Sequence, residues 1–234
     1  MESDKSKKII VALDVGSYSE AIALVEKLPD VTFWKVGLEL FLGAGPAILN
    51  YLQQNHKRIF LDLKFHDIPN TVARACQQSA QFGVELVTVH GAAGSEAMRS
   101  AQEQLANQGL QLPKLIAITA LTSLSAEQLD QELHINLAMP DYVLAMARLA
   151  QAANLGGVVC SPQEVMLLKQ ACGADFLAIC PGIRPDWAEA GEQRRSSTPQ
   201  AALAGGADYL VIGRPITAAA DPKGAWLRIC EEIA

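Results

Sequence analysis

The stretch FLDLKFHDIPNT, residues 60–71, opens like a buried β-strand, with Phe60, Leu61, Leu63 and Phe65 apolar. Asp62, Lys64, His66 and Asp67 nevertheless fall inside it or just after it, and a segment of helical spacing follows from Asn70 to Gln81. A mostly apolar strand that ends in charges and leads into an amphipathic helix is the unit from which helix-covered parallel sheets are built.

The unit recurs. Strand-like runs stand at 9–14 (IIVALD), 32–37 (TFWKVG), 58–64 (RIFLDLK), 85–90 (ELVTVH), 114–121 (KLIAITAL), 156–161 (GGVVCS), 175–182 (DFLAICPG) and 208–214 (DYLVIGR). Helical spacing marks 18–28, 46–54, 70–81, 95–108, 141–153, 162–172, 199–204 and 225–233. Eight such units in 234 residues predict an α/β fold, a (β/α)8 TIM barrel formed as one domain over 1–234. A doubly wound sheet usually has fewer strands and a glycine-rich first turn, and no GxGxxG follows the first strand.

Nineteen basic against 25 acidic residues give a net charge of −6, with no basic run beyond Lys5-Ser6-Lys7-Lys8, which argues against a nucleic-acid partner. Apolar runs such as 9–13 are far shorter than the roughly 20 residues of a membrane helix, and no signal-peptide hydrophobic region follows the charged start. A soluble, cytoplasmic protein without a membrane partner is expected. Five cysteines with no CxxC spacing read best as reduced, buried thiols. The four histidines lack i, i+4 and HExxH spacing, so no metal site is expected.

In a TIM barrel the active site is built at the C-terminal ends of the strands. Asp14 ends the first run, Lys35 lies near the end of the second, Asp62 and Lys64 end the third, and His90 ends the fourth. Thr119, Thr122 and Ser123 follow the fifth, Arg184 follows the seventh, and Gly213 and Arg214 end the eighth. Asp62 and Lys64 are two apart on a strand, so their side chains leave one face roughly 7 Å apart along the backbone. Lys35 on the neighbouring strand can point to the same place. An alternating array of Lys35, Asp62, Lys64 and Asp67 would hold each charge against an opposite one. Structural ion pairs at a barrel rim are the alternative, but a buried pair is often no more stabilising than apolar packing, so function accounts better for four charges together. Gly213 and Arg214 at a strand-to-helix turn suit a phosphate. The long polar loop 181–199 suits a flap over it, with Arg184, Gln193, Arg194 and Arg195 as candidate contacts.

Together these segments resemble the orotidine 5'-phosphate decarboxylase family. DLKFHDIPNTV (62–72) is similar to the family's signature, and ALD (12–14), KVG (35–37), TALTS (119–123), PGIRP (181–185) and IGRPI (212–216) stand in the family's order along the whole chain. The DxKxxD core is shared with sugar-phosphate decarboxylases and aldolase-like synthases of the same superfamily, whereas IPNT and TxLTS favour the orotidylate enzyme. The resemblance implies a stand-alone, bacterial-type carboxy-lyase that needs no cofactor and converts orotidine 5'-phosphate to uridine 5'-phosphate and CO2. That is the last step of de novo UMP biosynthesis.

The resemblance also implies that Lys64 delivers the proton to the pyrimidine carbon, that Asp62 lies against the substrate carboxylate, and that Lys35 pairs with the carboxylates and contacts the ribose. Asp14 resembles the residue that binds a ribose hydroxyl. Asp67 and Thr71 resemble those that reach the neighbouring subunit's site, which implies a homodimer with shared active sites. Thr122 and Ser123 match the pyrimidine-contacting segment, and Arg184, Gln193, Gly213 and Arg214 match the phosphate-gripping set. Ile68 and Pro181 join the substrate-binding residues by the same match. Glu192, before Gln193, stands where many relatives carry Asp, which bears on the flap's geometry.

Two rivals stay open: a Mg2+-dependent sugar-phosphate decarboxylase or synthase on the same barrel, and a phosphate-ligand-binding barrel without catalysis, which leaves Lys64 unexplained. His66 and His90 read as polar supports of the rim, and Trp34 and Trp187 as packing or loop anchors.

Overall fold

A computed structural model describes residues 5–110, 113–188 and 196–234. Its strands are β1 (Ile9–Leu13), β2 (Phe33–Gly37), β3 (Arg58–Phe65), β4 (Leu86–His90), β5 (Lys114–Ile118), β6 (Gly157–Val159), β7 (Leu177–Cys180) and β8 (Tyr209–Ile212). All pair in parallel, each with the next in sequence, and β8 pairs with β1 to close the barrel. The (β/α)8 barrel read from the sequence is the fold observed.

The described helices are α1 (Tyr18–Lys27), α2 (Leu38–Ala44), α3 (Ala47–Gln54), α4 (Pro69–Ala80), α5 (Gly94–Ala106), α6 (Ala126–Gln131), α7 (Met139–Ala152), α8 (Val165–Cys172), α9 (Pro199–Ala204), α10 (Arg214–Thr217) and α11 (Pro222–Glu232). Local chemistry fixes several starts: Ser17, Thr198 and Asp221 cap α1, α9 and α11, and Ser125 with Gln128 forms a capping box on α6. Three short helices, α2, α6 and α10, escape the periodic reading. α2 (LELFLGA) has no clean apolar stripe, with Leu38 and Leu42 exposed, and it needs Gly43 because a Cβ there would collide with the Gly16 carbonyl. Five strands also end sooner than the runs read from the sequence. After β5, for example, Thr119 turns both its N–H and its hydroxyl to the Val159 carbonyl, so 119–121 belongs to the rim.

The core has two shells, as alternation along each strand requires. Ile10, Ala12, Phe33, Phe60, Leu86, Ile116, Ile179 and Val211 fill the barrel interior. Ile9, Val11, Trp34, Val36, Leu61 and Val87, from the opposite parity, pack outward with the helices in a second, larger cluster. The N-terminal end of the barrel is closed by Arg58. Its guanidinium bonds both Glu85 oxygens at 2.6 and 2.7 Å and the Tyr209 hydroxyl at 3.0 Å, and lies 4.0 Å from the Phe33 ring centroid. With one end sealed, the other is left for a ligand.

Candidate active site

β3 and β4 stay in register up to Leu61 opposite Val87, and pairing resumes at Phe65 opposite Val89. Between those pairs β3 advances four residues and β4 only two, which makes a bulge. Lys64 lies in it with φ of 51°, the left-handed region that non-glycine residues seldom adopt and that stores roughly 1–3 kcal/mol of strain. Asp62 and Lys64 do converge, as two residues on one face should. They do so through a distorted strand rather than a regular one.

The charges form a chain. Lys35 Nζ lies 2.7 Å from Asp14 Oδ1 and 3.8 Å from Asp62 Oδ2, and Lys64 Nζ lies 3.0 Å from that same Asp62 oxygen. Lys35 and Asp62 are buried, while Asp14 is exposed and Lys64 intermediate. Room for the Lys35 ammonium depends on Gly37, where a Cβ would stand 3.0 Å from Nζ and 3.5 Å from Asp14 Oδ1.

Three members of the expected array, Lys35, Asp62 and Lys64, meet within the single chain, where Asp14 pairs with Lys35 and Asp67 stands apart. The backbone leaves the sheet after Phe65, and Asp67 is exposed on the following turn, its carboxylate accepting the Ile68 N–H at 2.7 Å.

Asp14, Lys35, Asp62 and Lys64 line one side of a cavity of about 310 Å3, within the range that holds small ligands. Thr122, Ser123, Pro181, Arg184, Gly213 and Arg214 line the rest of its rim, and Phe60, Ile118, Val159 and Val211 give it apolar surface. Ten of the residues singled out from the sequence thus meet at one cavity. Asp67, Ile68 and Thr71 do not line it, and all three are exposed. Gln193, Arg194 and Arg195, with Glu192, lie outside the described residues.

Arg184 and Arg214 are close enough to repel: burial first, then the Arg214 charge, pull the Arg184 guanidinium below its usual range. The base of the 181–199 loop is clipped together by a bridge between Ile183 and Ser197, with Arg184 N–H donating to the Ser197 carbonyl at 2.9 Å and Ser197 N–H to that of Gly182 at 3.2 Å.

His66 and His90 stack with ring centroids 5.0 Å apart and planes 12° from parallel. His90 Nδ1 accepts the Ala92 N–H at 3.2 Å, and burial, His66 and Lys64, in that order, hold its imidazole below the usual range. Neither ring lines the cavity. Trp34 is fully buried and donates to the Val31 carbonyl, and Trp187 lies under Arg228. Among the described residues no group of three or more His, Cys, Asp and Glu is placed to hold a metal ion, and no helix is long and apolar enough to cross a membrane.

Sequence reasoning missed Thr88, a fully buried residue of β4 whose hydroxyl touches both Lys64 and Asp62. Its one signal was a polar residue at an inward position of an otherwise apolar strand.

By architecture the molecule is a TIM barrel with its charged groups gathered at the C-terminal rim of the strands. The family model "Orotidine 5'-phosphate decarboxylase / HUMPS family" matches residues 7–229, and the chain belongs to that family. Among its relatives, the orotidine 5'-phosphate decarboxylase of Nostoc sp. is 59% identical over 230 residues, covering 97% of each chain. That of Gloeothece citriformis is 56% identical over 227 residues, again with 97% of each covered. The crystal structure of the Lactobacillus acidophilus orotidine 5'-phosphate decarboxylase superposes with a TM-score of 0.86 at 40% identity, covering 97% of this chain and 99% of that one.

Proposed function

We propose that this chain decarboxylates orotidine 5'-phosphate to uridine 5'-phosphate and CO2, the last step of de novo UMP biosynthesis, as a cofactor-independent homodimer. The observation that carries the reading is the Asp14–Lys35–Asp62–Lys64 chain of charges lining a cavity whose rim also holds two arginines, in a member of this family. Breaking the bond to the carboxylate leaves an electron pair in the plane of the pyrimidine ring, where its π-system cannot delocalise it. Stabilisation must then come from fixed charge, and Lys64 supplies it. Its ammonium stands at the reacting carbon, offsets the developing negative charge and gives up a proton as CO2 departs.

Asp62 lies against the substrate carboxylate. Repulsion between two carboxylates about 4 Å apart is worth roughly 4 kcal/mol at an effective dielectric near 20, against the roughly 20 kcal/mol that very slow reactions require. It is therefore a part of the mechanism and not the whole. Much of the remainder comes from binding the remote phosphate, which an anion between Arg184 and Arg214 would satisfy while relieving their mutual repulsion. Gln193 and the 181–199 loop complete that grip. Lys35 and Asp14 take the ribose, Thr122 and Ser123 the pyrimidine, and Pro181 and Gly213 leave backbone beside the ligand.

Asp67, Ile68 and Thr71 act in the neighbouring subunit's site. What supports this is their position: they are exposed, Ile68 by 67%, and stand outside their own chain's cavity.

The test is ultraviolet absorbance of orotidine 5'-phosphate with purified protein and excess EDTA. Conversion to uridine 5'-phosphate is expected. No conversion by folded protein sinks the reading, and activity on a sugar phosphate that appears only with Mg2+ would replace it by the related metal-dependent chemistry.

A further inference from the structure

We infer that Thr88 is a positioning residue for this reaction: its hydroxyl holds the β3 bulge in the shape that brings the Asp62 carboxylate and the Lys64 ammonium together. The inference rests on the decarboxylase reading for its kinetic part and on the geometry of β3 and β4 alone for the rest.

Thr88 sits between Val87 and Val89 on β4, at an inward position, and is fully buried. A valine would fill the same space without a hydroxyl to satisfy, so the polar atom needs a reason. The bulge supplies one. Where β3 breaks register, the Lys64 N–H leaves the ladder of strand hydrogen bonds, and a buried backbone donor without an acceptor is costly. Thr88 Oγ1 takes that N–H at 2.8 Å, which fastens Lys64 in its left-handed conformation.

The same contact sets the direction of the hydroxyl proton. Having accepted from Lys64, the hydroxyl donates to Asp62 Oδ1 at 3.1 Å. The other carboxylate oxygen, Oδ2, faces Lys64 Nζ at 3.0 Å and Lys35 Nζ at 3.8 Å. Each oxygen of Asp62 therefore has its own partner, and the carboxylate cannot rotate away when a second negative group is brought against it. One hydroxyl thus links the backbone of the proton donor to the side chain of the opposing carboxylate. That is preorganisation in the sense that counts for charge-stabilising catalysis: the dipoles are aimed before the reaction begins.

The experiment compares Thr88→Val, which keeps shape and removes the hydroxyl, with Thr88→Ser, which keeps the hydroxyl. Thr88→Val is expected to lower kcat by about tenfold to a hundredfold, as a misplaced catalytic group does, while the Kd for uridine 5'-phosphate stays within about twofold. Thr88→Ser is expected to return kcat to within about threefold of wild type. Backbone amide exchange of the β3 segment containing Lys64, measured without substrate, should quicken at least about tenfold in Thr88→Val and stay near wild type in Thr88→Ser. If Thr88→Val does not fold, Thr88→Cys replaces it, since a thiol is a poor stand-in for both hydrogen bonds. Wild-type kcat retained without the hydroxyl, or Thr88→Ser falling as far as Thr88→Val, overturns the kinetic role. Unchanged exchange overturns the brace itself, and it does so whether or not the wild type turns over orotidine 5'-phosphate, so the two failures can be told apart.

Discussion

Lys64→Ala and Asp67→Ala, each nearly inactive when pure, should regain activity when their subunits are combined in one dimer. Lys64 lines its own chain's cavity, whereas Asp67 is exposed on the turn beyond β3 and does not. If Asp67 serves the neighbour, a hybrid dimer has one site lacking both groups and one lacking neither. Random exchange of subunits makes about half of the dimers hybrids, so about a quarter of all sites are whole. The background is low enough to see this. A cation about 3 Å from a developing anion, the distance Lys64 keeps from Asp62, contributes roughly 5 kcal/mol at an effective dielectric near 20, which is between three and four powers of ten in rate. The assay is a titration of one variant into the other after subunit exchange, read as loss of orotidine 5'-phosphate absorbance per chain. A rise to about a quarter of the wild-type rate is expected. A mixture that never exceeds the sum of its parents, in dimers shown to have exchanged, would refute the assignment of Asp67 to the partner's site.

Three further outcomes follow from the geometry. Gly37→Ala should lower kcat/KM by about tenfold or more while stability changes by less than about 1 kcal/mol, because the new Cβ crowds Lys35 Nζ and not the core; an unchanged kcat/KM would mean that Lys35 is not held where the reaction needs it. Arg58→Ala should cost about 3 kcal/mol of stability, or about 6–12 °C in Tm, with kcat/KM at 25 °C unaltered, since the Glu85 and Tyr209 contacts lie at the end of the barrel opposite the cavity; equal losses in both quantities would contradict that separation. His90 has a folded pKa below its unfolded value, so the unfolded chain binds more protons between the two. Its contribution to stability is fully present above about pH 6.5 and is lost as pH falls through the folded pKa, at no more than about 1.4 kcal/mol per pH unit. Urea unfolding between pH 5 and 7.5 should show that slope reduced in His90→Asn, and identical slopes would remove His90 as its source.

The barrel was legible because parallel strands buried on both faces must be apolar nearly throughout, and all eight such runs supplied a strand. Their ends were not. In 114–121 the apolar pattern runs on through Ala120 and Leu121, but Thr119 bonds sideways to the Val159 carbonyl and ends the strand, a choice made by a neighbour forty residues away. Asp62, Lys64 and Lys35 were legible because charge at an apolar strand's C-terminal end is conspicuous. Asp14 was read as a ribose contact, and its 2.7 Å pairing with Lys35 was not foreseen, because strand order alone does not say which acid a lysine reaches. Thr88, whose one signal was its inward position, was passed over for a related reason. Threonine is an ordinary strand residue, and only the bulge opposite it gives its hydroxyl a task.

The seal at Arg58 has a consequence for how such a molecule can change over generations. Its bonds to Glu85 and Tyr209, like the stack on Phe33, involve residues at the starts of strands, whereas the cavity is written in residues at their ends and in the loops beyond. A substitution that rewrites a rim loop leaves that anchorage in place, so the scaffold can tolerate trial and error at its mouth without drawing on the contacts that keep it folded. On such a scaffold a preference for one ligand can be rewritten a loop at a time, with the opposite end serving as ballast.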